Sequence, residues 1–390
     1  MSRIRYCPNP DCPNHTSPTG RWYVHIGSYT TAAHGTVPRV RCTACGRTMS
    51  TQTFSIHYYA KRRLPLRLVS DRLRGGSSLR DIGRSFKVSR TAIRSAVYRL
   101  GRQAMAGHAR LIADWQSDER VVFDGLQTFL TSQDYPVHLT TTLTGESEFL
   151  LDMTHTVLRR GGRMRPAQKR RRERKERVWK PRRGALSESI SRLVRDIPRM
   201  HAMPNPDRPL VVDTDELAVY RSVLRRDAAF GLWFRHGMAL HRRTPGSAAR
   251  TMMNPLFPVN YFDMLLRHRV KEHTRETIAF GRHGVDQMHR AWIMAFDHNY
   301  VQPWRVRLGS DAPTHGERAG IDEAEIARVR RMFFRDRIDL RGCSMTESMW
   351  ATWRGEVEGP PVRWKSGASR PRPAPIPAFA LRDLARCTHF

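Results

Sequence analysis

The chain has 390 residues, enough for about two to four domains with a true core, and no apolar run approaches the ~18 residues of a membrane span. Lys and Arg number 68 against 36 Asp and Glu, a net charge of +32, so the expected partner is a polyanion. Counterion release favours nucleic acid over a membrane surface, because the charge is not gathered on one amphipathic helix.

The N-terminus, MSRIRYCPNP, lacks the apolar core of a secretory signal, and six cysteines partly in C-x-x-C spacing suit metal binding in a reducing compartment. The expected location is the cytoplasm, in association with the nucleoid. YCPNPDCPNH and VRCTACGRTMS place Cys7, Cys12, Cys42 and Cys45 on two Pro- or Gly-rich turns separated by about thirty residues. Paired thiolates on such turns can close a tetrahedral structural zinc site, with WYVHIGSY and TVPRVRC as the short strands of a zinc ribbon over residues 1–58. His15 is a substitute ligand or a surface histidine; free structural or redox cysteines are the plain alternative.

Residues 59–108 read as a helix-turn-helix unit. In SSLRDIGRSFKVSRTAIRSAVYRLGRQ, Leu79, Ile82 and Phe86 mark one helical face and Ile93, Ala96, Val97 and Leu100 a second, with Ser78 and Ser89 as N-caps. Residues 64–73 supply a first helix. Arg90, Thr91, Arg94, Ser95 and Tyr98 then fall on the outward side of the last helix, where such side chains reach base edges and phosphates in a major groove. An ordinary helical hairpin with a solvated basic face would look similar.

From residue 117 the pattern turns to strands: RVVFD, PVHLTTTLT and EFLLDMTHTVL. RRGGRMRPAQKRRRERKERVWKPRRG follows at about 159–184, a dense positive run expected to be a flexible or conditionally helical insertion along phosphate. PLVVDTD reads as a fourth strand, ELAVYRSVLRR as a helix, GLWFRHGMAL as a fifth strand, and a longer helix begins near Pro258. Three antiparallel strands followed by alternating helices and strands is the order of an α/β, RNase H-like mixed-sheet catalytic domain, expected over 117–304. Such a core delivers carboxylates from the first strand, the end of the fourth and a late helix to one point, where two divalent ions can be held.

FDGLQTF resembles the D-E-x-x-T-F word of the insertion-sequence-1 type DDE transposases, TDELAVY their S-D-E-x-x-x-Y word, and NPLFPVNYFDMLLRHRVKEHTRETIAF their late N-P-L-F block. The resemblance covers roughly residues 1–300 and rests mainly on the late block. It implies a DNA transposase with Mg²⁺ or Mn²⁺ in the catalytic site and structural Zn²⁺. The implied partners are double-stranded DNA, both element ends and target, and further copies of the chain in a homodimer or higher assembly. Asp124 takes the place of the first acid and Asp215 that of the second. Gly125 stands where the family has Glu, and Asn260 where it has the catalytic Glu. Asp263, one helical turn on, shares the face of Asn260; Glu272 would lie on the opposite side of a helix uninterrupted over 259–280, so Asp263 is the expected third acid.

Asp213 is the reserve second acid, and His298 with Asn299 are either a site feature or a core pair. A catalytically silent DNA-binding derivative and a structure-specific nuclease are the rival readings. The Pro-rich stretch within 305–390 reads as an accessory arm.

Overall fold

The computed structural model describes residues 4–274, 279–309, 311–341, 343 and 345–361. In chain order the elements are α1 (Pro13–Thr16), β1 (Tyr23–Thr31), β2 (Gly35–Cys42), β3 (Thr48–Ser50), α2 (Leu66–Arg74), α3 (Leu79–Ser85), α4 (Arg90–Leu111), β4 (Val121–Phe129), β5 (Pro136–Thr144) and β6 (Leu150–Val157). There follow α5 (Pro166–Glu176), α6 (Ala185–Met200), β7 (Leu210–Thr214), α7 (Ala218–Arg226), α8 (Ala228–Arg235), β8 (Ala239–Arg243), α9 (Phe257–Arg269), α10 (Gly284–Tyr300), α11 (His315–Arg318), α12 (Glu323–Met332) and α13 (Glu347–Arg354). None of the described helices is long and apolar enough to cross a membrane.

Strands β1, β2 and β3 form a small antiparallel sheet that carries the N-terminal cysteines and packs Tyr6, Trp22, Val40 and Phe54 into a core of its own. The second sheet has the order β6-β5-β4-β7-β8. Its first three strands are antiparallel, while β7 runs parallel to β4 and β8 parallel to β7. Helix α6 packs on β5 and β6, α9 on β4 and β5, and α10 on β6.

The expected fifth strand, GLWFRHGMAL, divides in two. Asp227 accepts from the N–H groups of Ala229 and Phe230 at 3.1 and 3.2 Å and starts α8, in which Phe230 and Trp233 are buried; strand geometry begins only at Ala239. An N-cap with apolar residues at i and i+3 outweighs the β-like composition.

Both predicted serine caps are in place: the Ser78 hydroxyl accepts from Asp81 N–H and that of Ser89 from Ala92 N–H, each at 3.2 Å. Helix α4 runs unbroken from Arg90 to Leu111. It continues into the main core and packs along α10, so α2, α3, α4 and the five-stranded sheet share one hydrophobic core. The two helices approach closely because residue 101 is glycine: a Cβ there would lie 2.3 Å from Nδ1 of His289 on α10. Polar contacts also fasten α10 to α2, α9 and the turn after α2. Asp297 on α10 is engaged by Arg74 of α2 and by Arg269, and Arg290 donates to the Ser77 carbonyl at 3.3 Å.

The basic run is a helix, α5, anchored rather than flexible. Asp134 receives Arg160 at 2.6 Å, Arg171 at 2.8 Å and Lys175 at 3.1 Å, and Trp179 packs edge-on against Tyr135. One buried carboxylate with three cationic partners offsets the repulsion that would unfold so dense a charge run. Lys169, Arg170, Arg174 and Arg177 remain exposed.

The described residues within 305–361 pack onto the rest of the fold and include α12. Helix α13 packs against α4, α6 and β6, and the stretch around Asp336 clasps the N-terminal unit: Arg5 reaches Asp336 at 2.6 Å, and Arg337 N–H donates to the Phe54 carbonyl at 2.8 Å. The Pro-rich stretch and Cys387 lie outside the described residues.

Candidate functional site

Two constellations hold side chains suited to metals. In the first, the ligand atoms of Cys7, Cys12, Cys42 and Cys45 all lie within 4.8 Å of one another. Sulfur–sulfur separations of 3.4 Å (Cys7–Cys45) and 3.6 Å (Cys12–Cys42) approach the ~3.8 Å edge of a tetrahedron with 2.3 Å metal–sulfur bonds. The turn after β2 explains the pairing, since Gly46 N–H donates to the Cys42 carbonyl and folds Cys45 back beside it. Burial raises Cys7 and Cys12. At Cys42 burial acts in the same sense, but the N–H groups of Cys45 and Ala44 and the Asn14 amide outweigh it and bring the thiol down to about 6. These four residues can hold a structural metal ion such as zinc. His15 is neither a ligand nor a surface residue: it is buried and its Nδ1 pairs with the Cys7 carbonyl at 2.7 Å.

The second constellation gathers the three aspartates. Asp124 is half-buried on β4, Asp215 lies just past the end of β7, and Asp263 is on α9 against β4. Burial lifts Asp124 to about 6, opposed by its own bond from the Gly125 N–H and reinforced by the charge of Asp215. Asp263 is raised well above the ordinary carboxylate range, by burial first and then by Asp124. Tyr220 on α7 is raised in turn by burial and by all three aspartates. The three acids therefore share one electrostatic neighbourhood. Within it, Asp263 Oδ1 and the Tyr220 hydroxyl are buried without a hydrogen-bond partner among the described residues.

The three carboxylates do not meet the 4.8 Å spacing of the cysteines. One ion would need them closer, whereas a pair of ions ~3.5–4 Å apart spreads its ligands further. Orphaned buried oxygens amid like charges suit a divalent cation in chemistry and in position.

The neighbouring acids are used otherwise. Asp213, fully buried, accepts from Arg120 at 2.6 Å and from Arg242 Nε and Nη2 at 2.8 Å each, which removes it as a reserve ligand. Glu272 lies apart as expected, though for a different reason: α9 ends at Arg269, Val270 turns to extended geometry, and Glu272 is buried against Arg290 at 3.4 Å. Asn260 is on α9, a turn before Asp263. Gly125 packs closely: a Cβ at this position would lie 1.9 Å from the buried His138 ring, so a larger residue here requires that ring to move. His298 and Asn299 are a core pair. His298 bonds the Glu148 carbonyl at 2.9 Å and stacks on His315, while Asn299 bridges the N–H and carbonyl of Leu150.

On α4, Arg90 and Thr91 are exposed and Ser95 is half-buried, but Arg94 and Tyr98 are not outward. Both are buried and reach Asp286 of α10, at 2.8 and 2.6 Å. Polar residues on a helix read as solvent-facing only when no second partner covers that side, and α10 covers it. Two further residues join the acids: Tyr220, marked in the sequence only as the final Tyr of TDELAVY, and Arg250, an exposed cation whose charge bears on both Asp124 and Asp263 and which no local pattern marks. A scan against protein-family models finds no match, and no curated protein matches this chain.

Proposed function

We propose that this chain is a metal-dependent polynucleotidyl transferase of the DNA transposase kind, binding duplex DNA and cutting and joining its strands. The observation that carries the reading is the shared neighbourhood of Asp124, Asp215 and Asp263, contributed by β4, the end of β7 and α9. The sheet order β6-β5-β4-β7-β8, with its antiparallel-then-parallel sense, supports an RNase H-like core, in which those are the places for the acids. The uncompensated positive charge supports a polyphosphate substrate.

Asp124, Asp215 and Asp263 would hold the ions, Mg²⁺ or Mn²⁺. When bound, such a pair activates the attacking oxygen and neutralises the leaving 3′ oxygen. Arg250, exposed beside two of the acids, draws the scissile phosphate toward them, and the buried Tyr220 keeps water from the floor. Arg90 and Thr91 at the start of α4 contact the DNA, and the cysteine unit, with structural zinc, braces that region. Synapsis of two element ends requires a homodimer or larger assembly.

The test is strand cleavage and transfer on a duplex carrying the element's own end, with Mg²⁺, at matched salt. Wild type should turn over, while Asp263→Asn should bind the duplex nearly as well and lose about 100-fold or more in rate. Binding of the correct end without turnover in Mg²⁺ or Mn²⁺ would instead establish a silent DNA-binding derivative. Asn260, standing where the late block of the resembling family has Glu, favours that second reading. Cleavage indifferent to the end sequence would point to a structure-specific nuclease.

A further inference from the structure

Residues 57–64 connect the N-terminal unit to α2 and stand across a cleft of about 1000 Å³ from the start of α4. One wall carries Lys61 and Arg62; the other carries Arg80 of α3, Lys87 of the connection and Arg90 of α4. The lining contains no Asp or Glu, and among the described residues none of these five cations has an ion-pair partner. Arg90 is lowered by burial first and then by the charges of Arg80, Arg282 and Arg94, only partly opposed by Asp286, a crowding of cations that a further anion would relieve.

The walls are held in place. Arg99, deep in the cleft, donates to the carbonyls of Ile56 and Tyr58 at 2.9 and 2.6 Å and ties the root of the connecting segment to α4. Beyond that tether Tyr59 is 72% exposed with a φ of 55°, an unfavourable backbone for a bulky residue and one that occurs preferentially where function requires it.

We infer that this cleft straddles one sugar–phosphate backbone of a DNA duplex, with the start of α4 in the major groove and residues 59–62 in the adjoining minor groove. The inference rests on the DNA-binding reading above and extends it to a second groove and a second set of residues. The physical basis is the shape of the duplex. A single phosphate ridge separates the two grooves, so a clasp with cations on both inner walls puts one wall in each. The leading residues of the second helix of such a unit meet base edges in the major groove, and basic segments preceding such units enter the minor groove, where narrow A·T tracts concentrate negative potential. Here a turn and bend over residues 56–62 presents Lys61 and Arg62. Arg94 and Tyr98, turned toward Asp286, are excluded from that contact.

The experiment uses the full-length, zinc-loaded protein and duplexes it enriches from a random-sequence pool. Each selected duplex is footprinted with dimethyl sulfate for the major groove and hydroxyl radical for the minor-groove edge. Wild type should protect both grooves on either side of one backbone. Lys61→Ala combined with Arg62→Ala should lose only the minor-groove protection, bind about 10-fold or more weakly, and show a salt slope smaller by about 2. Arg90→Ala should lose only the adjacent major-groove protection. All these side chains are exposed, and unchanged zinc content and circular dichroism confirm that each variant is folded.

A wild-type footprint confined to the major groove overturns the inference, and so does a double variant that weakens every duplex equally with its footprint intact. Tighter binding of the corresponding single strand, abolished by Tyr59→Ala, also overturns it and assigns the cleft to an unpaired strand instead. If no duplex is enriched at any salt, the DNA-binding reading fails together with it; enrichment without minor-groove protection removes this inference alone.

Discussion

Four sulfurs at the N-terminal unit crowd within 4.8 Å, whereas the three aspartates of the larger sheet stand further apart and act on one another through charge. Cysteine side chains are small and weakly polar, so Cys7, Cys12 and Cys42 share a core with Tyr6 and Phe54, with the exposed Cys45 at its edge. Carboxylates brought together with little water resist ionisation, and the raised values of Asp124 and Asp263 record that resistance. A cysteine cluster is thus built by local turns and packing. A carboxylate cluster is built by strand and helix positions that force like groups together, and its cost is borne by the rest of the fold.

The largest expected effect tests the first half of that contrast. Chelation of zinc, or Cys42→Ser, should unfold residues 4–58 with a loss of about 10 kcal/mol of apparent binding energy, read as loss of metal and of protease resistance in that segment. Retention of both by the serine variant would show that packing alone closes the cluster.

Next in size is Arg94→Ala, which leaves the Asp286 carboxylate in the first turn of α10 poorly compensated. Denaturant unfolding should show a loss of about 3 kcal/mol, while binding to a selected duplex stays within a few-fold of wild type at a temperature where the variant is folded. A specific loss of base discrimination without destabilisation would return Arg94 to the DNA surface.

Gly125→Ala probes the ground beside Asp124. The added Cβ meets the His138 ring and should cost about 1–3 kcal/mol of stability, relieved when His138 is also made Ala. If the variant is as stable as wild type but inactive, the glycine serves the chemistry rather than the packing.

The smallest effect is in pH. Burial lifts Asp152 and Glu272 to about 7 and Asp196 to about 6, with neighbouring Asp196 adding to Asp152. A carboxyl raised on folding contributes stability that is fully present below its unfolded value of about 4 and is lost as pH rises through its folded value. Buried histidines held neutral, among them His108, His138 and His155, act in the opposite sense, so the expected effect is a difference: between pH 5 and 8 metal-free wild type should lose a few degrees of melting temperature relative to Asp152→Asn. Zinc retention should run the other way, weakening as acid protonates the thiolates. Parallel curves for the two would erase the distinction between the centres.

Much of this was readable along the chain because its causes are local. The cysteine spacing, the Ser78 and Ser89 caps, the strands β4 to β6 and the order of the three acidic words each depend on a few consecutive residues. Only the tertiary structure decided which polar groups were already taken. Asp213 has the same residue type as Asp215 two positions away, yet Arg120 and Arg242, distant in sequence, claim it. Arg94 and Tyr98 lie on the polar side of α4 in any helical projection, and α10 arrives there from almost two hundred residues downstream. The break of α9 at Val270, the ring of His138 against Gly125 and the docking of α5 on Asp134 are of the same kind. Local periodicity reports what a segment can present, and whether a charge is free or spent depends on partners that only the folded chain brings within reach.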